Sequence, residues 1–252
     1  MGLLLQDDKQ FAEALKLVSQ AYKYYLDTGI RSKIAMSSMT LGNLYLTNGR
    51  GLEAALGKME ESTFISREDN DILMLSYALA LKGDAHIEHE GDVSKAIENF
   101  DESIKLMTSK QPDNHWSLGF SHVGLAKSYL KKGNLPTALI NNDRAIKKYI
   151  YINQKLGLRN AYQNRIDILE KMGDYKEAAN AYKMLMAYSD SIYSEESSRQ
   201  INRLQTEFDT KEKEVEIASL SQQAFIQDLK IRQKNQVPVS YTHLTLPTTP
   251  YV

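Results

Sequence analysis

A glycine followed five residues later by an alanine recurs four times at nearly constant spacing: "GRGLEA" (Gly49, Ala54), "GDVSKA" (Gly91, Ala96), "GNLPTA" (Gly133, Ala138) and "GDYKEA" (Gly173, Ala178). The glycines fall 42, 42 and 40 residues apart, and "DKQFAEA" places Ala14 in the same slot 40 residues before Ala54. Periods of this length belong to arrays of small supersecondary units, none of which can bury its own apolar face. Each glycine is expected to close one helix in the left-handed conformation, and each alanine to sit where the next helix crosses its partner closely.

The flanking residues recur in register. Four residues before the glycines stand Tyr45, Ile87, Tyr129 and Leu169; four after the alanines stand Lys58, Phe100, Asn142 and Tyr182. Three further on come Glu61, Ser103, Ala145 and Leu185, a column without common character. These residues resemble the tetratricopeptide repeat (TPR), with "LGNLYLTNGRGLEAAL" (Leu41 to Leu56) the best single match. The resemblance covers residues 1–190. The period exceeds the family's usual 34 by six to eight residues, about one additional turn in each helix. The implied fold is all-α: a right-handed α-solenoid of about five TPR-like helix pairs, the first incomplete because Met1 falls within a first helix. The chain is expected to begin inside a larger protein.

In such a stack the first helices of the pairs line a concave face. The expected groove residues are Asn43, Leu46 and Thr47; Ala85, Glu88 and His89; Lys127, Leu130 and Lys131; and Asp167, Glu170 and Lys171. This wall is mixed in charge. The basic and Asn set of chaperone-tail-binding members of the family is missing, so that specificity does not carry over. The expected partner is a protein or peptide.

From Ser191 to Gln236 there is neither Gly nor Pro, which predicts one long helix over 191–236. Ile201, Leu204, Phe208 and Val215 keep a heptad-like seam, whereas Ala218, Leu220, Phe225 and Leu229 as a set fit it only with a slip. An imperfect coiled coil, and with it a homodimer through this helix, is the expectation. Repeats of about 40 residues followed by "YSDSIYSEESSRQINRLQTEFDTKEKEVEIASL" resemble the sensor portion of membrane-bound signalling proteins of Bacteroidetes-type bacteria. That resemblance implies exported repeats that feed a helix, then a membrane span, then a histidine kinase or helix-turn-helix output domain. It implies a periplasmic setting, and a membrane link only through a segment downstream of this chain. A free-standing soluble repeat scaffold or peptide-sensing regulator, cytoplasmic and without a membrane link, stays open as the alternative.

The last stretch, 237–252, departs from all this: Pro238 to Val252 holds three of the chain's five prolines. Val239 to Thr248 can be spelled GTC TCT TAT ACA CAT CTG ACG CTG CCG ACG, which resembles the transposon-end adapter of sequencing libraries. The expectation is a non-native tail, with a disordered Pro/Thr segment as the alternative.

Composition removes several functions. A formal net charge of −1 argues against a nucleic-acid groove, even with Tyr22, Tyr24, Tyr25, Tyr149 and Tyr151 as candidate stacking platforms. The absence of cysteine excludes thiolate chemistry and disulfides. No run nears the roughly 18 apolar residues of a membrane span. "HIEHE" puts His86 and His89 three apart beside Glu90, but no third ligand is recognisable, so these read as groove-lining histidines and no metal is expected. "FSHVGLAKS" resembles the start of a kinase phosphoacceptor box, yet Val123 and Gly124 follow His122 where acidic and Arg residues belong. No phosphate loop or nucleophile elbow is present, so neither enzymatic activity nor a cofactor is expected.

Overall fold

The computed structural model describes residues 2–47, 51–90 and 92–236, with side chains over 11–47, 51–88 and 92–233. The suspected adapter tail, Gly49, Gly91 and the His89 side chain lie outside the described residues. The helices are α1 (Gly2–Thr28), α2 (Arg31–Thr47), α3 (Leu52–Glu68), α4 (Ile72–Ala85), α5 (Val93–Lys110), α6 (His115–Lys132), α7 (Leu135–Tyr151), α8 (Lys155–Met172) and α9 (Tyr175–Gln236), with a π-turn at His86–Glu90 after α4. No strand occurs among the described residues. The chain divides after Ile192 into two compact units, the repeats and a segment of the long helix.

Within pairs the turn is two residues of fixed chemistry. Gly133 (φ 81°) and Gly173 (φ 77°) close α6 and α8 in the left-handed region, where a Cβ is penalised. The next residue caps the following helix: the Asn134 and Asp174 carboxamide and carboxylate oxygens accept the N–H of Thr137 and Glu177. Asp92 does the same for α5 through Lys95 N–H. Between pairs, Asn70 (φ 54°) and Asn153 (φ 51°) take the left-handed position instead, which Asn tolerates better than other side chains.

The crossing alanines are Ala55, Ala96, Ala138 and Ala178, each the fourth residue of its helix and at most 3% exposed. The expectation for Ala54 is corrected, because Ala54 is exposed. The N-cap of α3 is Gly51 (φ 103°), two residues after the repeat glycine, where Asp92 and Asn134 stand one residue after theirs, so the alanine slot moves on by one. The neighbouring columns then become coherent. Met59, Phe100 and Asn142 are fully buried, as are Ser62, Ser103 and Ala145, in place of Lys58 and Glu61.

Close crossings are cut to fit large side chains. Phe100 fills the space that Cβ atoms would need at Gly83 and Gly124, and Tyr149 does so at Gly119 and Gly157. A buried serine ladder, Ser76–Ser103–Ser121 with both Oγ–Oγ distances 2.8 Å, ties α4, α5 and α6 together and satisfies hydroxyls that would otherwise be costly to bury. Each helix packs on the next, and α2, α4, α6 and α8 also pack successively on one another, whereas α3, α5 and α7 do not. The even-numbered helices therefore form the inner side of the stack and the odd-numbered ones the outer side. The fourth pair is completed by the start of α9, through Ile166 and Leu169 against Ala178 and Ala181.

Helix α9 continues from that pair without a break, since Gly and Pro are absent from 175–190 as well. Every described side chain from 198 to 233 is exposed.

Candidate binding groove

Equivalent helices start at residues 31, 72, 115 and 155 on the inner side. Counting from these starts, one column of side chains runs Asn43, Asp84, Lys127, Asp167, and a second runs Thr47, Glu88, Lys131, Lys171. The three members of the second repeat that a fixed 42-residue step supplied, Ala85, Glu88 and His89, are each displaced by one, and Asp84 and Glu88 take the places expected of Ala85 and His89. Ala85 is instead wholly buried in the α2–α4 core beside Met59 and Ala78.

The extra residue of that repeat is absorbed in the π-turn, whose wider ring accommodates one residue per insertion. The turn is braced from α6: the Lys131 ammonium donates to the Ile87 carbonyl at 2.7 Å. Such a contact supplies a partner to a carbonyl at a helix end, where intrahelical donors run out.

Over α4, α6 and α8 the inner face holds a cavity of about 510 Å³. Of the expected groove residues, Glu88, Lys127, Leu130, Lys131 and Asp167 line it together. Asn43, Leu46 and Thr47 do not: Leu46 packs into the α2–α4 core and the Thr47 hydroxyl returns to its own helix. Asp84, Tyr149, Asn160, Gln163 and Asn164 line it as well, and sequence periodicity missed all five. Gly83 standing 41 residues after Gly42 was the available signal for Asp84.

The charges alternate across the helices. Lys127 lies between the two carboxylates of its column and forms an ion pair with Glu88 at 3.6 Å. Asp167 accepts from Gln163 Nε2 at 3.1 Å. Asp84 has neither hydrogen bond nor ion pair among the described residues. Burial pushes its carboxyl up to about 6, Lys127 opposing and Glu88 adding to the shift. Tyr149, 4% exposed, is likewise raised by burial and then by Asp84. A desolvated carboxylate without a partner favours a cationic group that brings its own hydrogen bonds.

No family model and no curated protein matches the chain. Solved structures do. BtubC (BKLC) from P. vanneervenii superposes with a TM-score of 0.63 at 14% identity, over 75% of this chain and 76% of that one. A chain assigned as a kinesin light chain of Podosopora anserina, with nearly identical TPR-like repeats, gives 0.56 at 17% identity over 75% and 91%. A second crystal structure of those repeats gives 0.54 at 16% identity. The fold is a TPR-like α-solenoid. The groove lies on the side that the inner helices of this solenoid present.

Elsewhere in the solenoid the chemistry-bearing residues are tied into structure. Tyr22 donates to both Glu61 oxygens at 2.8 and 3.0 Å and accepts from Lys58 at 2.6 Å, and Ser38 donates to Glu61 at 2.9 Å. Burial opposes both charges, yet these bonds outweigh it and leave Lys58 raised and Glu61 lowered. Tyr25 packs against the α2–α3 core and Tyr24 is exposed. His86 is 4% exposed, and His122, 7% exposed, bonds Asn141 Oδ1 at 3.1 Å through Nδ1. Among the described residues no three His, Asp or Glu side chains are grouped to hold a metal ion, and no helix is long and apolar enough to cross a membrane.

Proposed function

We propose that the cavity over α4, α6 and α8 is the docking groove for a segment of a partner protein or a free peptide, entered by a lysine or arginine side chain at Asp84. The observation that carries this is the Asp84 carboxylate itself, desolvated and unpaired beside Lys127, which is already engaged by Glu88. Amides at Asn160, Gln163 and Asn164 supply donors and acceptors for an extended backbone. Leu130, Val123 and Phe120 supply apolar surface.

On this reading the chain is a signal-input module of a bacterial signal-transduction protein. Binding at the solenoid biases α9, and α9 couples to an output domain outside this chain. Exposure of Ile201 (66%), Leu204 (61%), Phe208 (63%) and Val215 (71%) supports pairing of two copies along that helix. The resemblance of the α9 sequence to membrane-linked sensors supports the signalling assignment.

The test is selection from a displayed random-peptide library against the purified chain, followed by fluorescence anisotropy of the enriched peptides. Enrichment of a basic residue, and loss of at least tenfold in affinity in Asp84→Asn and in Lys127→Glu, is expected. Peptides that bind both variants as well as the parent chain would place the docking site elsewhere.

A further inference from the structure

The opposite face of α6 carries a second, chemically distinct cavity. Because α5 and α7 both pack on α6 without packing on each other, a gap remains between them on the outer side. His115, Leu118 and His122 lie about half a turn around α6 from Gly124 and Lys127, at 100° per residue, and form its floor. The volume is about 520 Å³.

Its charge is of one sign. Arg144, Lys147 and Lys148 of α7 line it, and no carboxylate does. In a chain of formal net charge −1, this is segregation and not an average surface. Neither Arg144 nor Lys147 forms an ion pair among the described residues, and Lys148 Nζ rests 3.3 Å from His115 Nδ1. His122 is held neutral: burial pushes its imidazole down to about 4, with Arg144 and Lys148 adding to the shift and Asn141 opposing it. The rest of the lining is Thr108 and an apolar set, Ile104, Pro112, Leu118 and Tyr151; the Tyr151 ring meets His115 edge-on at 4.2 Å between centroids.

We propose that this outer pocket binds a phosphate monoester carried on an aromatic body. The phosphate takes the guanidinium of Arg144, whose planar fork matches two oxygens, and the ammonium groups of Lys147 and Lys148. The aromatic body lies on Ile104, Leu118 and Tyr151. A bare anion would use the cations and leave this apolar wall unused, so the two parts of the lining together specify the class. The pocket is separate from the Asp84 groove and its occupancy does not rest on the groove's function.

The experiment is isothermal titration calorimetry of the full chain, at fixed ionic strength, with phenyl phosphate, inorganic phosphate and phenol. Phenyl phosphate is expected to bind at least tenfold more tightly than either of the others. Arg144→Glu with Lys148→Glu is expected to weaken it at least tenfold, with the circular dichroism melting curve retained, whereas Asp84→Asn leaves it unchanged. A phosphotyrosine peptide that binds more tightly than phenyl phosphate would assign the ligand to a protein segment, and equal affinity to a free small molecule. Absence of phenyl phosphate binding at millimolar concentration, or equal binding by the doubly reversed variant, would overturn the proposal.

Discussion

The ring of Phe100 occupies the volume into which a side chain at Gly124 would grow. Two helices of adjacent pairs, α5 and α6, thus meet through one large and one absent side chain. Gly124→Ala would gain about 1 kcal/mol of helix propensity in the middle of α6. Overpacking against a fully buried ring costs about 1–3 kcal/mol, and it wins unless Phe100 can move. A lowered urea midpoint is therefore expected, and an unchanged or raised midpoint would show that the ring swings aside.

The alanine slot of the first complete pair can be located by substitution. Ala55→Leu places a large side chain at a wholly buried crossing beside Gly42, and about 1–3 kcal/mol of destabilisation is expected. Ala54→Leu, on the exposed side of the same turn, should stay within about 0.5 kcal/mol. Equal effects in thermal denaturation would contradict the one-residue shift.

Asp84 should make the solenoid less stable as the solution approaches neutrality. Its carboxyl titrates near 6 in the folded chain, above the ordinary value of 3.8 that the unfolded chain approaches. Between those values the folded state holds a proton that the unfolded state has released, so stability falls as pH rises through the interval. Asp84→Asn is expected to flatten that slope and to raise stability at pH 7 by on the order of 1–3 kcal/mol. Chemical denaturation at pH 4 to 7 measures both effects. A variant less stable than the parent at pH 7 would mean that the carboxylate has a stabilising partner.

The helix seam predicts an association state. Ile201, Phe208, Val215 and Leu229 are separated by multiples of seven, and so are Leu204, Ala218 and Phe225; Leu220 alone departs. The heptad therefore runs further than the set including Leu220 suggested. All of these apolar residues except Ala218 are more than 40% exposed along α9. Leu204→Glu is expected to shift the chain from dimer toward monomer in sedimentation equilibrium. A parent chain that is already monomeric at tens of micromolar would count against the seam.

The repeat architecture was legible because its turns are written in two residues. Gly133–Asn134 and Gly173–Asp174 end one helix and begin the next by local chemistry alone, and Ala96, Ala138 and Ala178 mark the crossings. The groove was legible in full only on α6; elsewhere Glu88 and Asp167 alone of the expected residues line it. A constant step of 42 residues cannot represent one residue added in a turn at Gly51 or inside a helix at His86–Glu90. On a helix, one residue is a rotation of about 100°, enough to exchange the core residue Ala85 for the groove residue Asp84. The outer pocket was hidden for a different reason: α5, α6 and α7 each contribute a few residues to it, and no single segment spells it.

The π-turn also says how such a surface can change over evolutionary time. A codon inserted within a helix would ordinarily rotate every residue beyond it and ruin the crossings downstream. Here the surplus is confined to five residues, Asp92 still begins α5, and Ala96 and Phe100 still meet their partners. Single-codon gain or loss at such a site edits what one helix presents on the inner face while the remaining helices keep their places. The inner surface of this solenoid can thus drift by length as well as by substitution.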